Sequence, residues 1–230
     1  LLGPVAVAVG PFDSDLCGLG PQPCVPQPGT AQTLDPRREV LSSLELAVFD
    51  DHASLVGSFT VDASGGDRAG VRWFELRSAG GSWSVHDEGL HAPGGEHRWL
   101  SAASVDRQGN LAVVTNVSDA TGTAPSVRLA GRRAADPPSA LTVGEIELRT
   151  GAGPQTVGAS PERWGAWSSL VVDPSDGCTF WATAPYTING AWATVVAKFA
   201  FQSCGDGPSG ALFADDFESG TTGAWAATSP

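Results

Sequence analysis

Short apolar runs alternate with polar turns along this chain, and one such phrase occurs twice. Its copies begin at Arg98-Trp99 and at Arg163-Trp164, and each continues into an apolar run. The runs end at 106–110 and at 173–177, where Asp and Gly, joined by Asn in the first copy, are residues that tight turns prefer. A further apolar run follows each turn. The pattern predicts β-hairpins that repeat along the chain.

The same alternation predicts three units of four strands, each of roughly 55–65 residues, as in the blades of a β-propeller. Three blades are fewer than the roughly 4–8 of a closed ring, so we predict an all-β, incomplete propeller, in which Leu1 to Val9 is the outer strand of a preceding blade. A β-sandwich is the alternative fold. The predicted strands are Leu41 to Phe49, Ser54 to Val61, Val71 to Arg77, Trp83 to Leu90, Trp99 to Val105, Leu111 to Asn116, Val127 to Arg132, Val143 to Leu148, Trp167 to Val172, Cys178 to Ala184 and Val195 to Phe201.

The amino-acid composition of the chain changes after Cys204. A Gly-rich stretch is typical of a linker, and the acidic segment after it contains three aromatic residues and is interpreted as an appended tail, with a sorting signal as one possible role. The predicted division is a propeller segment at 1–204 with blades at about 38–90, 98–149 and 163–204, a linker at 205–210 and a tail at 211–230.

Composition narrows the class of partner. A hydrophobic fraction of 41% with 17% charged residues is ordinary for a globular protein. The formal net charge of −12 repels nucleic-acid phosphates and anionic lipid headgroups, and no segment is apolar for long enough to predict a membrane span. We therefore expect neither nucleic acid nor a membrane span, and keep glycan and protein as candidate partners.

Four cysteines form two sequence-local pairs, Cys17 with Cys24 and Cys178 with Cys204. Neither pair has the spacing of a zinc site, and no His lies close to either. We predict two disulfides, which place the protein outside the reducing cytosol, either secreted or at the cell surface. Four buried free thiols are the alternative.

Several motifs resemble a group of large secreted bacterial proteins of uncharacterised function. The resemblance spans about residues 15–204 and implies a β-propeller-like C-terminal region and export. The tail, Phe213 to Gly220 followed by Trp225, resembles the Phe-Ala-Asp-Gly-Phe-Glu-Ser-Gly segment that ends many exported bacterial proteins, with Asp216 replacing the first Gly of that segment. The motifs are Cys24-Val25-Pro26-Gln27-Pro28-Gly29-Thr30, Gly70-Val71-Arg72-Trp73-Phe74-Glu75-Leu76-Arg77, Arg163-Trp164-Gly165 and Asp173-Pro174-Ser175-Asp176-Gly177-Cys178-Thr179-Phe180-Trp181.

The chain departs from the family pattern where polar groups are expected. The family phrase continues Arg-Trp-Gly-Asp-Tyr-Ser, whereas this chain has Ala166 and Trp167. The Tyr and Glu that usually follow Thr-Phe-Trp are replaced by apolar residues, and Trp-x-Thr-Arg becomes Trp-x-Thr-Val at 192–195. Groups that transfer protons are lost, so we predict no catalytic residue at these positions. The apolar replacements are Ala182, Ala184 and Pro185.

Arginine and tryptophan at the starts of inner strands are the candidate ligand-binding residues. Arginine offers a planar fork to carboxylates or phosphates, and tryptophan offers a stacking face to sugars or cations. The alternative is that these side chains tie neighbouring blades together, as residues of a repeat commonly do. The candidates are Arg98, Trp99, Arg163, Trp164 and Trp167, with Asp173 and Asp176 in the adjoining turn.

Metal binding is the weaker interpretation of two clusters. Asp173 and Asp176 offer oxygens to a structural calcium, but Asp and Gly in this order are typical of a tight turn that caps itself. His86, His91 and His97 have neither strand-face nor helical spacing, so we expect solvated side chains. We predict no cofactor, with structural calcium as the alternative.

Three functions fit these observations. The first is an exported, non-catalytic binding or interaction module. The second is a glycan-active hydrolase of propeller type, with Asp173, Asp176 and the Arg-Trp pairs near the channel, and it needs two carboxylates that converge with arginine. The third is a degenerate or truncated homologue without independent activity. The replacements at Ala166 and Ala184 favour the first.

Overall fold

The computed structural model describes residues 4–18, 23–36, 41, 43–157, 163–165, 167–204 and 213–215. This part of the chain is all-β, with one short 3₁₀ turn at Gln202–Cys204. Its strands form three open, antiparallel sheets of four strands each, and every sheet follows chain order. The all-β prediction is confirmed.

Each sheet is a meander of consecutive hairpins. Sheet 1 contains β1 (Leu44–Val48), β2 (Ala53–Asp62), β3 (Ala69–Ser78) and β4 (Ser84–His91). Sheet 2 contains β5 (His97–Val105), β6 (Leu111–Ser118), β7 (Ser126–Arg132) and β8 (Val143–Arg149). Sheet 3 contains β9 (Ser169–Val172), β10 (Phe180–Ile188), β11 (Ala191–Phe199) and β12 (Phe213–Asp215).

Turn chemistry explains where the hairpins close. Asp106 accepts hydrogen bonds from the backbone of Gln108 and Asn110 at 2.8 and 2.9 Å, and Gly109 takes a positive φ of 81°. Asn189 and Gly190 connect β10 to β11 with positive φ at both positions, which is the geometry of a two-residue type I′ turn. Side-chain capping and left-handed residues therefore fix strand register at both sites.

The sheets pack face to face in chain order, with sheet 2 in the middle. Val56 and Trp73 of sheet 1 pack against Ala103 and Val113 of sheet 2. On the opposite face of sheet 2, a second apolar cluster joins it to sheet 3. All of β6 is buried because both of its faces are covered. The second cluster contains Ala102, Ala112, Val114, Val127, Leu129, Leu148, Leu170, Phe180, Ala182, Ala184, Tyr186, Ala193, Val195, Ala197 and Phe199.

Both predicted disulfides, Cys17–Cys24 and Cys178–Cys204, are present. The first lies beside a third apolar cluster that contains Leu16, Val25 and Leu34. The second ties the β9–β10 turn to the end of the 3₁₀ turn that follows β11. The disulfide prediction is confirmed.

The N-terminal strand prediction is wrong for residues 4–9, which form no strand; residues 1–3 lie outside the described part. Among the described residues this segment has no ladder partner, and the first bridge of the chain joins Asp13 to Asp62. The segment lies instead against sheet 1, where the Gly10 amide donates to Glu88 at 2.8 Å.

Sheet 3 takes its fourth strand from the predicted tail, since Phe213–Asp215 pairs with β11. The predicted linker at 205–210, the tail segments at 211–212 and 216–230, and Ala166 of the altered family phrase lie outside the described residues.

Candidate functional site

The two Arg-Trp copies occupy different environments. Arg98, at the start of β5, is 1% exposed. Its guanidinium donates to both carboxylate oxygens of Glu145 at 2.6 and 2.8 Å and to the Pro93 carbonyl at 2.6 Å. Arg163 is exposed. Arg98 is therefore a structural residue and is not available to a ligand.

Arg98 belongs to an ion-pair network that joins the start of β5 to β7 and β8 of sheet 2. Glu96 and Glu145 each accept from Arg98 and Arg128, and His91 lies 2.9 Å from Glu145. Burial raises the pKa of Glu145, but hydrogen bonds from Arg98 and His91 outweigh it and hold that pKa well below its usual range. Burial likewise raises the pKa of Glu96, and hydrogen bonds from Arg128 outweigh it, so this pKa is also lowered.

The two tryptophans of the repeat meet each other. Trp99 and Trp164 are both fully buried, with ring centroids 5.9 Å apart. The Trp164 indole donates to Asn116 at 3.0 Å. Both rings serve the core, as the alternative interpretation of the repeat predicts. They pack beside the N-terminal disulfide with Leu16, Val25, Leu34, Ala69 and Leu100.

A cleft of about 330 Å³ opens where the second copy reaches the surface of sheet 3. Two of its walls are indole rings, since Trp167 is 66% exposed and Trp192 is 56% exposed. Trp192 and Thr194 project from β11, and Pro185, the cross-strand partner of Thr194, projects from the same face of β10 together with Thr183. The lining is Arg163, Gly165, Trp167, Thr183, Ala184, Pro185, Trp192 and Thr194.

Buried groups hold the cleft floor. Asn116 of β6 donates to the Pro185 carbonyl at 2.6 Å while it accepts from Trp164. Gly165 permits close approach, because a Cβ built there would lie 2.8 Å from Pro185 Cγ. The segment at 163–165 is therefore fixed against β10 before any ligand arrives.

Further contacts brace the segment on both sides. Ser168 donates to the Leu100 carbonyl at 2.8 Å, and Gln155 donates to the Arg163 carbonyl at 3.1 Å. Gln155 is itself held by the buried Gln27, whose side-chain oxygen accepts from the backbone N–H of Gln155 at 2.6 Å. The N-terminal segment thus helps to position the cleft.

Asp173 and Asp176 cap the β9–β10 turn. Asp173 accepts from Ser175 and from the Trp181 indole, and Asp176 accepts from the amides of Cys178 and Thr179 at 2.7 and 2.9 Å. Hydrogen bonds from Ser175 lower the pKa of Asp173. Slight burial raises the pKa of Asp176, but hydrogen bonds from Thr179 outweigh it and lower that pKa. The carboxylate oxygens of Asp173 and Asp176 therefore accept hydrogen bonds from the turn itself.

The three histidines do not converge. His86 is exposed, His91 pairs with Glu145, and Nδ1 of the half-buried His97 lies 3.2 Å from the Ala69 amide. Burial lowers the pKa of His97. Within the described ranges, no group of three or more His, Cys, Asp or Glu residues is placed to hold a metal.

Sequence reasoning named Arg163 and Trp167 but missed Trp192 as a site residue. The signal was the alternation along β11, where Ala193, Val195 and Ala197 are buried and the residues between them face outward. An aromatic residue on the outward side of such a strand is an exposed platform.

No family model, curated protein or solved structure matches this chain. In the part of the chain that the structure describes, no helix has the length and apolarity to cross a membrane.

Proposed function

We propose that this chain is an exported, non-catalytic glycan-binding module built from β-propeller blades. The observation that carries the proposal is the cleft where Trp167, Trp192 and Arg163 meet on the surface of sheet 3. A pyranose ring presents an apolar C–H face that stacks on an indole, while its hydroxyls need donors and acceptors. Thr183, Thr194 and the guanidinium supply them.

Architecture supports the propeller part of the proposal. Four-stranded antiparallel meanders that stack in chain order are the units of a propeller. The first strands of the three sheets, β1, β5 and β9, together line one further cleft of about 220 Å³. Convergence of first strands is what a central channel requires. A sandwich places two sheets face to face and does not need a third.

The disulfides support export, because such bonds persist in oxidising compartments. One of them packs beside Trp164, and the other ties the β9–β10 turn to the 3₁₀ turn after β11.

The hydrolase alternative has less support. The carboxylates that contact Arg98 are Glu96 and Glu145, and their lowered pKa values keep both ionised at neutral pH. A glycosidase needs one carboxyl group that stays protonated. Among the residues that the structure describes, no carboxylate lines the Trp167–Trp192 cleft.

The test is binding to immobilised and soluble polysaccharides, measured by affinity electrophoresis and by quenching of tryptophan fluorescence. We expect Trp192→Ala and Trp167→Ala each to weaken binding about tenfold or more, the effect of losing one aromatic anchor. Trp83→Ala is the matched control, since Trp83 is partly exposed and lies just before β4 in sheet 1. Equal binding by all three variants would overturn the proposal.

A further inference from the structure

Sheet 1 ends the stack with an apolar surface. Along β1 the outward side chains are Leu44, Leu46 and Val48, which are 50%, 61% and 77% exposed. Leu46 stands beside Leu55 of β2 on the same face. We call this surface the outer face of sheet 1. Contiguous exposed apolar residues of this kind mark interaction surfaces.

Strand register shows that this face is a packing face. The last pairs before the first hairpin turn of the three sheets are Val48–Ala53, Val105–Leu111 and Val172–Phe180. Two residues earlier the pairs are Leu46–Leu55, Ala103–Val113 and Leu170–Ala182. In sheets 2 and 3 these positions are buried against the preceding sheet. In sheet 1 the equivalent pair faces outward.

The opposite end of the stack has a different character. The outer face of sheet 3 presents Thr183 and Thr194 with Lys198, whose ammonium lies 5.6 Å from the Trp181 ring centroid. Val114 of sheet 2, which is buried, occupies the register position equivalent to Thr183 of sheet 3. The same face also carries the exposed Trp167, Val171 and Trp192, but hydroxyls and an ammonium stand among them. It is therefore a mixed surface and not the continuous apolar complement that sheet 1 needs.

The N-terminal segment borders the outer face without sealing it. Phe12 packs edge-on against Phe59 with centroids 5.0 Å apart, yet Phe12 is itself 46% exposed. Arg72 and Glu88 beneath the segment pair with each other at 2.7 Å. An occupant of this face would therefore bury apolar surface without stranding the charge of either residue.

We propose that the occupant is a second copy of this chain, with the outer faces of two sheets 1 packed against each other about a two-fold axis. An apolar face whose charges are internally paired is complementary to itself, as a two-fold interface requires. The exposed fractions amount to roughly 500 Å² of apolar surface, close to the apolar share of a standard interface at ~800 Å² per partner. The residues are Val9, Phe12, Leu41, Leu44, Leu46, Val48 and Leu90, each 44–77% exposed.

This dimer does not rest on glycan binding, but it leaves both Trp167–Trp192 clefts open at opposite ends. Two clefts on one particle would engage one polysaccharide chain with higher avidity than a single cleft.

The test is the molar mass of the purified chain by light scattering during size-exclusion chromatography, over a dilution series. We expect a dimer that Leu46→Glu and Val48→Lys convert to monomer with unchanged far-UV circular dichroism. Val157→Glu is the matched control, because Val157 is 60% exposed beside the β10–β11 turn and lies outside the cleft that Leu46 and Val48 line. This variant should leave the dimer intact.

Two results would overturn the proposal. A wild-type chain that is monomeric at its highest soluble concentration excludes a second copy and leaves another polypeptide as the occupant. Loss of the dimer on Val157→Glu, with or without loss on Leu46→Glu, would mean that the contact is not confined to the outer face of sheet 1, as the two-fold packing of that face requires.

Discussion

Arg98-Trp99 and Arg163-Trp164 begin the two copies of the repeated phrase. The tryptophans of both copies are buried, whereas only the first of the two arginines is. Both rings are buried against each other, 5.9 Å between centroids. Arg98 is held by Glu145, which comes from a fourth strand of seven residues in sheet 2. The repeated phrase alone therefore does not decide whether its arginine is structural, because a carboxylate partner of Arg98 comes from a strand distant in sequence.

The largest expected effect tests whether the buried tryptophans of the repeat stabilise the core. Trp164→Ala leaves a cavity beside Trp99 and removes the donor to Asn116. We expect the free energy of unfolding to fall by about 4 kcal/mol, measured by denaturant unfolding.

Trp167→Ala is the paired control, because Trp167 is 66% exposed and should change stability by less than ~0.5 kcal/mol. If the two variants lost similar stability, Trp164 would not have the core role assigned to it.

Alternation and turn residues predicted the strands well, because hairpin geometry is local. The predicted strand Leu111 to Asn116 is β6 within two residues, and the Asp106 turn caps as expected. The N-terminal strand failed because an apolar segment forms a strand only where a ladder partner exists, and residues 4–9 have none within the described part of the chain. That is a tertiary property which alternation does not encode.

The site was less predictable. Arg98 becomes buried through Glu145, which lies 47 positions away in sequence. Nothing local distinguishes it from Arg163. Trp192 was predictable in principle from its outward position on β11, but only once the buried face of that strand is known.

The second prediction separates the two arginines. Arg98→Met removes the cation between Glu96 and Glu145 and leaves buried carboxylate charge, which should cost about 3 kcal/mol of stability. Arg163→Met should cost less than ~0.5 kcal/mol, because Arg163 is exposed. The measurement is again denaturant unfolding at neutral pH.

Equal losses in the two arginine variants would show that the copies are energetically alike. A neutral Arg98→Met would show that Arg128 alone satisfies both glutamates.

The third prediction tests the ion-pair network around Glu145 by lowering the pH. The pKa of Glu145 is lowered in the folded protein, so its contribution is fully present above the unfolded pKa of about 4.3 and is lost as pH falls toward the folded value. Wild-type stability should fall by about 1–2 kcal/mol more than that of Glu145→Gln between pH ~5 and ~3. Parallel pH profiles of the two proteins would contradict a network held by this carboxylate.

The smallest expected effect concerns the residue that follows each Arg-Trp pair, Leu100 in the first copy and Gly165 in the second. Gly165→Ala places a Cβ 2.8 Å from the Pro185 ring, which cannot swing aside as a flexible chain would. We expect a loss of about 1 kcal/mol in stability and a shifted cleft floor. Gly81→Ala is the control, because a Cβ added at Gly81 meets no heavy atom of the described residues within 4 Å and the change should be neutral.

The decisive readout is polysaccharide affinity: if the cleft depends on the close approach of 163–165 to β10, Gly165→Ala weakens binding while Gly81→Ala does not. Unchanged affinity in both would separate the Arg163 segment from ligand binding and leave Trp192 as the principal platform.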